Sequence, residues 1–268
     1  MPPHRVPGQG GRRFHPSASK GDEATVLTIA KFYVSTEELN RGQVVLKGQQ
    51  HHHLSRVLRI RRGRVVTVMD GKGLVGLGKV SVIDSKQAIV TIEEVWRADP
   101  EFPRLHLYQA LTRMKKMDIA VQNAAEIGAV SLTPFGCTRS SPLEALDGAK
   151  MGRLRRIAME ASRLSGRPYL MEVREPLPWD GLLDDLARMN IAVYADEESG
   201  DRPSSVLDDD SFDDIGLLVG PEGGFADAER DSLAIRGVRA VTLGKTIFRT
   251  ETAGLVLLAA VKCHYHRL

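Results

Sequence analysis

Cysteine is scarce in this sequence, and long apolar runs are missing. Only two cysteines, Cys137 and Cys263, occur in 268 residues, and they form no CxxC pair. A disulfide framework or a zinc cluster is therefore not expected, and the scarcity is typical of a reducing compartment, which predicts a cytoplasmic protein. The apolar run at residues 255–261 is too short to cross a bilayer, so no membrane association is expected.

Acidic side chains are absent from one whole window, which extends from Arg41 to Met69. Besides Arg41 at its start, the window contains five arginines close together: Arg56, Arg59, Arg61, Arg62 and Arg64. Because the net charge of the chain is only +3, this charge is concentrated locally. A basic surface without compensating carboxylates favours phosphate contacts over an ordinary solvated face, and it indicates a nucleic acid partner.

A helix is predicted over residues 51–59, inside this window. Three of its side chains would share one face: His52, Arg56 and Arg59. Three aliphatic side chains are expected to turn the other way, into the core: Leu54, Val57 and Leu58. The histidines at 51–53 diverge by about 100° each on a helix. The acidic stretch at 196–214 lacks the ligand spacing and glycine of a calcium loop. No metal is therefore expected.

The phosphate-binding loops of common nucleotide enzymes are also missing. No GxxxxGK[ST] sequence occurs, which excludes most ATPases and kinases. Residues 71–76 formally match GxGxxG, but the residues after them favour a strand, whereas a dinucleotide site requires a helix there. We interpret residues 71–76 as a hairpin turn.

Two patterns of secondary structure divide the chain. Short alternating runs before residue 98 predict the strands of a small β-barrel: 43–46, 64–69, 74–82 and 88–95. Strands then alternate with helices, which predicts a parallel α/β sheet. The predicted strands are 105–111, 130–135, 191–195, 215–219 and 240–243, and the helices are 117–128, 148–165, 227–237 and 252–264.

The predicted domain organisation has three parts. A disordered basic arm covers residues 1–28, the small β-barrel covers 29–98, and the α/β domain covers 99–268. The arm contains arginine, glycine and proline but no apolar segment of a secretory signal. A misassigned start codon and a transit peptide are the alternatives for this arm.

Two glycine-containing segments follow predicted strands of the α/β domain. The first is GPEGGF at 220–225, after an apolar strand, and the second is LGKTIFRTETA at 243–253. Ligands of α/β proteins bind at the carboxyl ends of such strands, where glycine lets the backbone approach a ligand closely. With only one helix between them, the two segments are predicted to form two walls of one pocket.

These segments resemble the bacterial 16S ribosomal RNA uracil-N3 methyltransferases of the RsmE type, within the SPOUT superfamily. Weaker support comes from HLxxVLR at 53–59, EIG at 126–128 and TRS at 138–140. The resemblance implies a PUA-like β-barrel followed by a trefoil-knotted SPOUT domain. It further implies a homodimer that methylates N3 of a uridine in the small ribosomal subunit, with S-adenosylmethionine as the methyl donor.

The resemblance also implies which residues act. The cofactor would be held by residues of both motifs: Leu218, Gly220, Glu222, Gly223, Leu243, Gly244, Ile247, Phe248 and Arg249. The basic clusters of the sequence, together with the family motifs, predict that RNA is held by His53, Arg56, Arg59, Arg62, Arg113, Lys116, Arg139 and Arg167. Two places depart from the family pattern, because Arg163-Leu164 replaces a Glu-Gln pair and Arg113-Met114 replaces Lys-Gly.

Arg249 and Glu251 are the predicted catalytic residues. Uridine N3 carries a proton, so negative charge develops on the base as it attacks the methyl group, and Arg249 is placed to stabilise that charge. Glu251 would accept a proton or, as we favour, orient Arg249. The alternatives are a SPOUT enzyme that methylates another position, such as a ribose 2′-hydroxyl, and a catalytically silent RNA-binding factor.

Overall fold

The structure is a computed structural model that describes residues 30–197, 200–207 and 212–265. The predicted arm at 1–28 lies outside these residues. Within them, no helix combines the length and the apolar character needed to cross a membrane.

The first part of the chain folds into a five-stranded sheet with strand order β1-β3-β4-β5-β2. Its elements are β1 (Lys31–Tyr33), α1 (Thr36–Asn40), β2 (Gln43–Lys47), α2 (Gly48–His52), β3 (Val65–Met69), β4 (Leu74–Ile83) and β5 (Gln87–Arg97). β1 pairs with β3 in parallel, and the other pairs are antiparallel. The four predicted strands are confirmed, whereas β1 and α1 were not predicted.

The helix predicted over 51–59 is only partly correct. α2 ends at His52 and continues as one π-helical turn, His53–Val57, and Arg59 adopts a left-handed conformation with φ of 52°. Only Leu54 turns inwards, while Val57 and Leu58 are 58% and 39% exposed. Because the wider π turn rotates the faces, Arg59 does not share a helical face with His52 and Arg56.

The second part is a six-stranded parallel sheet with strand order β11-β9-β10-β6-β7-β8. Its strands are β6 (Arg104–Ala110), β7 (Ser131–Phe135), β8 (Glu172–Val173), β9 (Ile191–Asp196), β10 (Asp214–Val219) and β11 (Arg239–Thr242). Its helices are α3 (Met114–Ile127), α4 (Gly148–Ser165), α5 (Trp179–Leu186), α6 (Pro203–Val206), α7 (Asp227–Ile235) and α8 (Thr250–His264). All predicted elements are confirmed, whereas β8, α5 and α6 were not predicted.

Alternating side chains of the central strands fill two separate cores. Leu107 and Leu217 point into the core shared with α3, α4 and α8. Their neighbours Tyr108 and Leu218 point the other way, towards α5 and α7. This alternation is that of a sheet buried on both faces, and it leaves the carboxyl ends of the strands free to carry loops.

Candidate cofactor pocket and RNA-contacting surface

A pocket of about 410 Å³ lies at the carboxyl ends of β9, β10 and β11. The two glycine-containing segments form its opposite walls, as predicted from their spacing. Seven of the predicted cofactor residues line it: Gly220, Glu222, Leu243, Gly244, Ile247, Phe248 and Arg249. The two loops therefore meet around one cavity at the position where parallel sheets bind ligands.

Two predicted cofactor residues lie beside the pocket and not in its lining. Leu218 is fully buried in the core under α5 and α7, and its successor Val219 lines the cavity instead. The carbonyl of Gly223 accepts a 2.6 Å hydrogen bond from the Arg139 guanidinium. Since β10 alternates its faces, the side chain of Leu218 points away from the pocket.

The first loop depends on its glycines and on one aromatic ring. A Cβ atom on Gly220 would lie 3.1 Å from the ring of Phe225, so a larger side chain would displace that ring. Phe225 is itself packed against Tyr194 and Trp179, with ring centroids 5.6 and 5.9 Å away. In the second loop Gly244 has φ of 104°, which favours glycine.

A short relay of hydrogen bonds connects the two loops beneath the pocket. Gln109, at the end of β6, donates from Nε2 to the Thr250 hydroxyl at 2.9 Å. Thr250 in turn donates to the carbonyl of Gly220 at 2.7 Å. Because both side chains are buried, these bonds hold the start of α8 against the loop after β10.

Lys116 lies in the pocket wall between two carboxylates. Its Nζ donates to Glu222 Oε1 at 2.8 Å and lies 3.5 Å from Glu251 Oε2. The hydrogen bond with Glu222 raises the pKa of Lys116 and lowers the pKa of Glu222. Lys116, predicted to hold RNA, is thus engaged by protein carboxylates because α3 begins beside the cofactor loop.

Glu251 does not orient Arg249 in this structure. Glu251 is 6% exposed and turns towards Lys116, and in the described part of the chain Arg249 has no carboxylate partner. Arg249 itself is exposed at the pocket wall, directly before α8. The geometry of the helix start explains the difference, because Arg249 caps α8 and Glu251 lies about half a turn further on, on another side of the helix.

Three charged pocket residues were not predicted: Asp196, Glu197 and Arg230. Arg230 of α7 pairs with Asp196 at 2.6 Å. Asp196 and Glu197 could have been predicted from their position, because they lie at the carboxyl end of β9, which is next to β10. In the sequence, however, these two residues open an acidic stretch of the kind that is typical of a solvated loop. Nothing in that stretch distinguishes them as pocket residues.

The predicted RNA-binding cations separate into two groups. Arg56, Arg59 and Arg62 are exposed and have no acidic partner among the described residues. Arg113 is also exposed, but its charge helps to lower the pKa of Glu222. With Arg61 and Arg64, the first three form a surface that we call the basic tip. Its cations are available to phosphates because no carboxylate in the described ranges forms an ion pair with them.

The side chains of the second group form contacts within the protein. Arg167 is largely buried and pairs with Glu101 at 2.9 Å. Burial and the neighbouring Arg163 guanidinium lower the pKa of His53, whose Nε2 accepts a 3.3 Å hydrogen bond from Arg163. Arg163, one of the departures from the family pattern, thus joins the two parts of the chain. His53 and Arg167 are thus engaged by contacts within the protein, and their role in RNA binding stays a prediction.

No group of three potential metal-ligating side chains occurs in the ranges that the structure describes. Independence from metal therefore stays a prediction.

Comparison with known proteins agrees with this two-part architecture. Residues 100–262 match the family described as the RNA methyltransferase domain, and residues 46–93 match the RNA methyltransferase PUA domain. The fold and pocket are thus those of an RNA methyltransferase with a PUA domain before it. More particularly, the chain belongs to the ribosomal RNA small subunit methyltransferase E family.

Individual relatives support this assignment. The chain is 30% identical over 227 residues to ribosomal RNA small subunit methyltransferase E of Aquifex aeolicus, covering 82% of this chain and 95% of the relative. It is 28% identical to the protein of that name from Synechocystis, covering 92% and 81%. The Neisseria gonorrhoeae enzyme bound to S-adenosyl methionine superposes with a TM-score of 0.79 at 28% identity, covering 88% and 98%.

Proposed function

We propose that this protein transfers the methyl group of S-adenosylmethionine to N3 of a uridine in 16S ribosomal RNA. The observation that carries the proposal is the convergence of both glycine-containing loops on one pocket, with the exposed Arg249 in its wall. The Neisseria gonorrhoeae relative was solved with S-adenosyl methionine, which supports the choice of cofactor.

The residues of the pocket fit this cofactor. The volume of about 410 Å³ suits a small molecule. Apolar walls from Leu243, Ile247 and Phe248 suit an adenine ring, and the exposed carboxylate of Glu197 suits a cationic group. When bound, S-adenosylmethionine supplies a methyl group on a positively charged sulfur.

Arg249 then stabilises the negative charge that develops on uridine as N3 loses its proton. Its guanidinium is exposed, free of carboxylate partners in the described ranges, and able to form a fork with two acceptors. Lys116 acts differently, because it neutralises the two carboxylates at the same wall. Without that ammonium, Glu222 and Glu251 would repel an anionic base.

The remaining parts of the proposal concern assembly. The loops around the pocket are the loops of a trefoil knot, the domains cover 29–98 and 99–268, and two chains associate in the cytoplasm. Apolar side chains exposed on α3 and α4 support association: Ile119, Met159 and Leu164. Light scattering at micromolar concentration should give the mass of two chains, and a monomer across the whole elution peak would contradict the dimer.

Small ribosomal subunits lacking this methylation provide the test. Incubation with labelled cofactor and mass spectrometry of the nucleosides should yield 3-methyluridine. Label in a ribose-methylated nucleoside would instead establish the alternative target. No transfer together with no binding of S-adenosylmethionine in calorimetry would identify a silent RNA-binding factor.

A further inference from the structure

The turn at residues 70–74, which connects β3 and β4, lies against the catalytic part of the chain. Gly73 donates from its backbone N–H to the carbonyl of Pro168 at 3.0 Å, and Leu170 donates to the carbonyl of Gly71 at 3.0 Å. This is the segment that formally matches GxGxxG. Gly71 and Gly73 of this segment therefore contact residues 168–170, and they do not form a dinucleotide site.

Hydrogen bonds within the turn itself also define its shape. The carboxylate of Asp70 accepts hydrogen bonds from the backbone N–H of Lys72 at 2.7 Å and of Leu74 at 2.9 Å. Gly71 and Gly73 have φ of 72° and 97°, which favours glycine at both places. A carboxylate-braced turn of this kind is rigid.

Side chains of both parts interlock around this turn. Leu170 packs into a small apolar cluster formed by Tyr33, Met69 and Val75 of the first sheet. A Cβ atom on Gly71 would lie 2.6 Å from Leu170, so the fit excludes any larger residue at this position without movement. The contact is thus a close one, and a larger residue at position 71 requires the Leu170 side chain to move.

Two tyrosine hydroxyls also form hydrogen bonds between the first and the second part of the chain. Tyr33 donates to the carbonyl of Arg167 at 2.5 Å, and Tyr169 donates to the carbonyl of Ala98 at 2.9 Å. Burial raises the pKa of Tyr33, so its hydroxyl keeps the proton that it donates. We call residues 70–74 and 167–170, with these contacts, the joint.

The joint is fixed to the helix that begins at the pocket. The Arg167 side chain pairs with Glu101, and Glu101 accepts a 2.8 Å hydrogen bond from Lys262 near the end of α8. Lys262 is buried and also donates to the carbonyl of Ile127. Because α8 begins directly after Arg249, a continuous set of packed contacts connects the joint with the methyl-transfer pocket.

We propose that the joint is a positioning element that holds the basic tip at a fixed place relative to the pocket, so that RNA bound at the tip presents one particular uridine to Arg249. This inference rests on the proposed function. It assigns the substrate as a folded RNA whose phosphates reach the tip while its target base enters the pocket. A loosened joint would misplace the base without affecting the chemistry of the pocket.

Gly71→Asn tests the joint, and Gly42→Asn is its matched control. The two glycines have φ of 72° and 74°, and asparagine tolerates this region better than most residues. A Cβ on Gly42 meets nothing within 4 Å, whereas one on Gly71 collides with Leu170. The two positions are therefore matched in φ, and only Gly71→Asn introduces a collision at the joint.

The measurements are kcat/KM for methyl transfer to small subunits and calorimetric affinity for S-adenosylmethionine. Gly71→Asn should lower kcat/KM by about 10²-fold, as expected for a displacement of about 1 Å at the reacting atoms. Cofactor affinity should stay within about twofold, and Gly42→Asn should keep both quantities, because its side chain collides with nothing and lies outside the joint. Tyr33→Phe combined with Tyr169→Phe should show the same pattern more weakly, since it removes hydrogen bonds without a collision.

The outcomes separate the two proposals. If the parent chain transfers no methyl group to subunits, the proposed function fails. If the parent is active and Gly71→Asn keeps its kcat/KM, or loses no more than Gly42→Asn, the joint does not position RNA. Loss of cofactor affinity in Gly71→Asn, or misfolding of that variant with full activity in the double tyrosine variant, also overturns the inference.

Discussion

The hydroxyl of Thr250 donates a 2.7 Å hydrogen bond to the carbonyl of Gly220, across 30 residues of sequence. The same hydroxyl accepts from the Gln109 amide at 2.9 Å. One buried oxygen therefore fixes the distance between the two loops that enclose the pocket. A pocket held in this way is formed before the cofactor arrives, which lowers the cost of binding.

Thr250→Val should weaken S-adenosylmethionine binding by about tenfold, because it leaves the Gly220 carbonyl and the Gln109 amide unpaired at about 1–3 kcal/mol. The shape of the side chain is kept, so packing around it should not change. Thr250→Ser retains the hydroxyl and should bind almost as the parent does. Calorimetry of the three proteins measures the difference. Equal affinity of the valine and serine variants would show that the relay does not shape the pocket.

Arg249→Ala should reduce the rate of methyl transfer by about 10²–10³-fold, as removal of one charge-stabilising donor does. The guanidinium acts on charge that appears during the reaction, so affinity for the cofactor should fall much less. Arg249→Lys should restore only part of the rate, because lysine lacks the planar fork. Single-turnover transfer at saturating cofactor measures the rate.

A separate calorimetric titration decides the role of Arg249. An alanine variant that transfers methyl within a few-fold of the parent would show that Arg249 is not the electrostatic catalyst. A variant that no longer binds S-adenosylmethionine would instead place Arg249 among the cofactor contacts.

The sequence predicted the pocket better than it predicted the surface. Strand ends followed by glycine are local patterns, so 220–225 and 243–253 could be placed at one edge of the sheet. The partners of a long side chain are not local. Arg167 pairs with Glu101 and Lys116 with Glu222, and neither pair follows from helical or strand periodicity.

The helix at the basic tip shows a second limit of prediction from the sequence, which is the use of helical periodicity to predict burial. A spacing of 3.6 residues predicted that Val57 and Leu58 would be buried, but a π turn starts at His53 and changes which side chains face the core. Ile60 instead packs against the core, where its N–H donates to the carbonyl of Leu54 at 3.0 Å. A single wide turn of this kind depends on tertiary contacts and leaves no periodic signal.

The basic tip should determine the salt dependence of RNA binding. Replacing Arg56, Arg59 and Arg62 by alanine should flatten the plot of log affinity against log salt by up to about one unit for each phosphate that the variant no longer neutralises. The three arginines have no carboxylate partner in the described ranges, so their charge is available for phosphate contacts. Titration of labelled RNA at several salt concentrations measures the slope.

A control with an equal change of charge is provided by arginines that are paired within the protein: Arg153 with Asp118, Arg155 with Glu175 and Arg239 with Asp201. Their replacement by alanine should change the slope much less. If both triple variants flatten the slope equally, net charge and not the tip governs binding. An unchanged slope in the tip variant would mean that RNA lies elsewhere.

Because of Asp185 in α5, the free energy of unfolding is expected to decrease as the pH is lowered. Its carboxylate accepts hydrogen bonds from Arg174 at 2.6 Å and from the Tyr108 hydroxyl at 2.8 Å. Burial alone would raise the pKa of Asp185, but these hydrogen bonds and the Arg174 charge outweigh it and hold the pKa below its usual value. The folded state thus binds the proton less readily than the unfolded state does.

The stabilisation by Asp185 is consequently complete above the unfolded pKa of about 4, and it is lost as the pH falls towards the lower folded value. Asp185→Asn should cost about 2 kcal/mol or more near neutral pH, because Arg174 loses its charged acceptor. In the Asp185→Asn variant, the free energy of unfolding should also fall less steeply as the pH is lowered. The neighbouring Asp184 is 69% exposed, against 7% for Asp185, so Asp184→Asn is the control and should change little. Urea unfolding between about pH 3 and 7 covers this range; parallel curves for the parent and Asp185→Asn would show that this carboxylate does not govern acid stability.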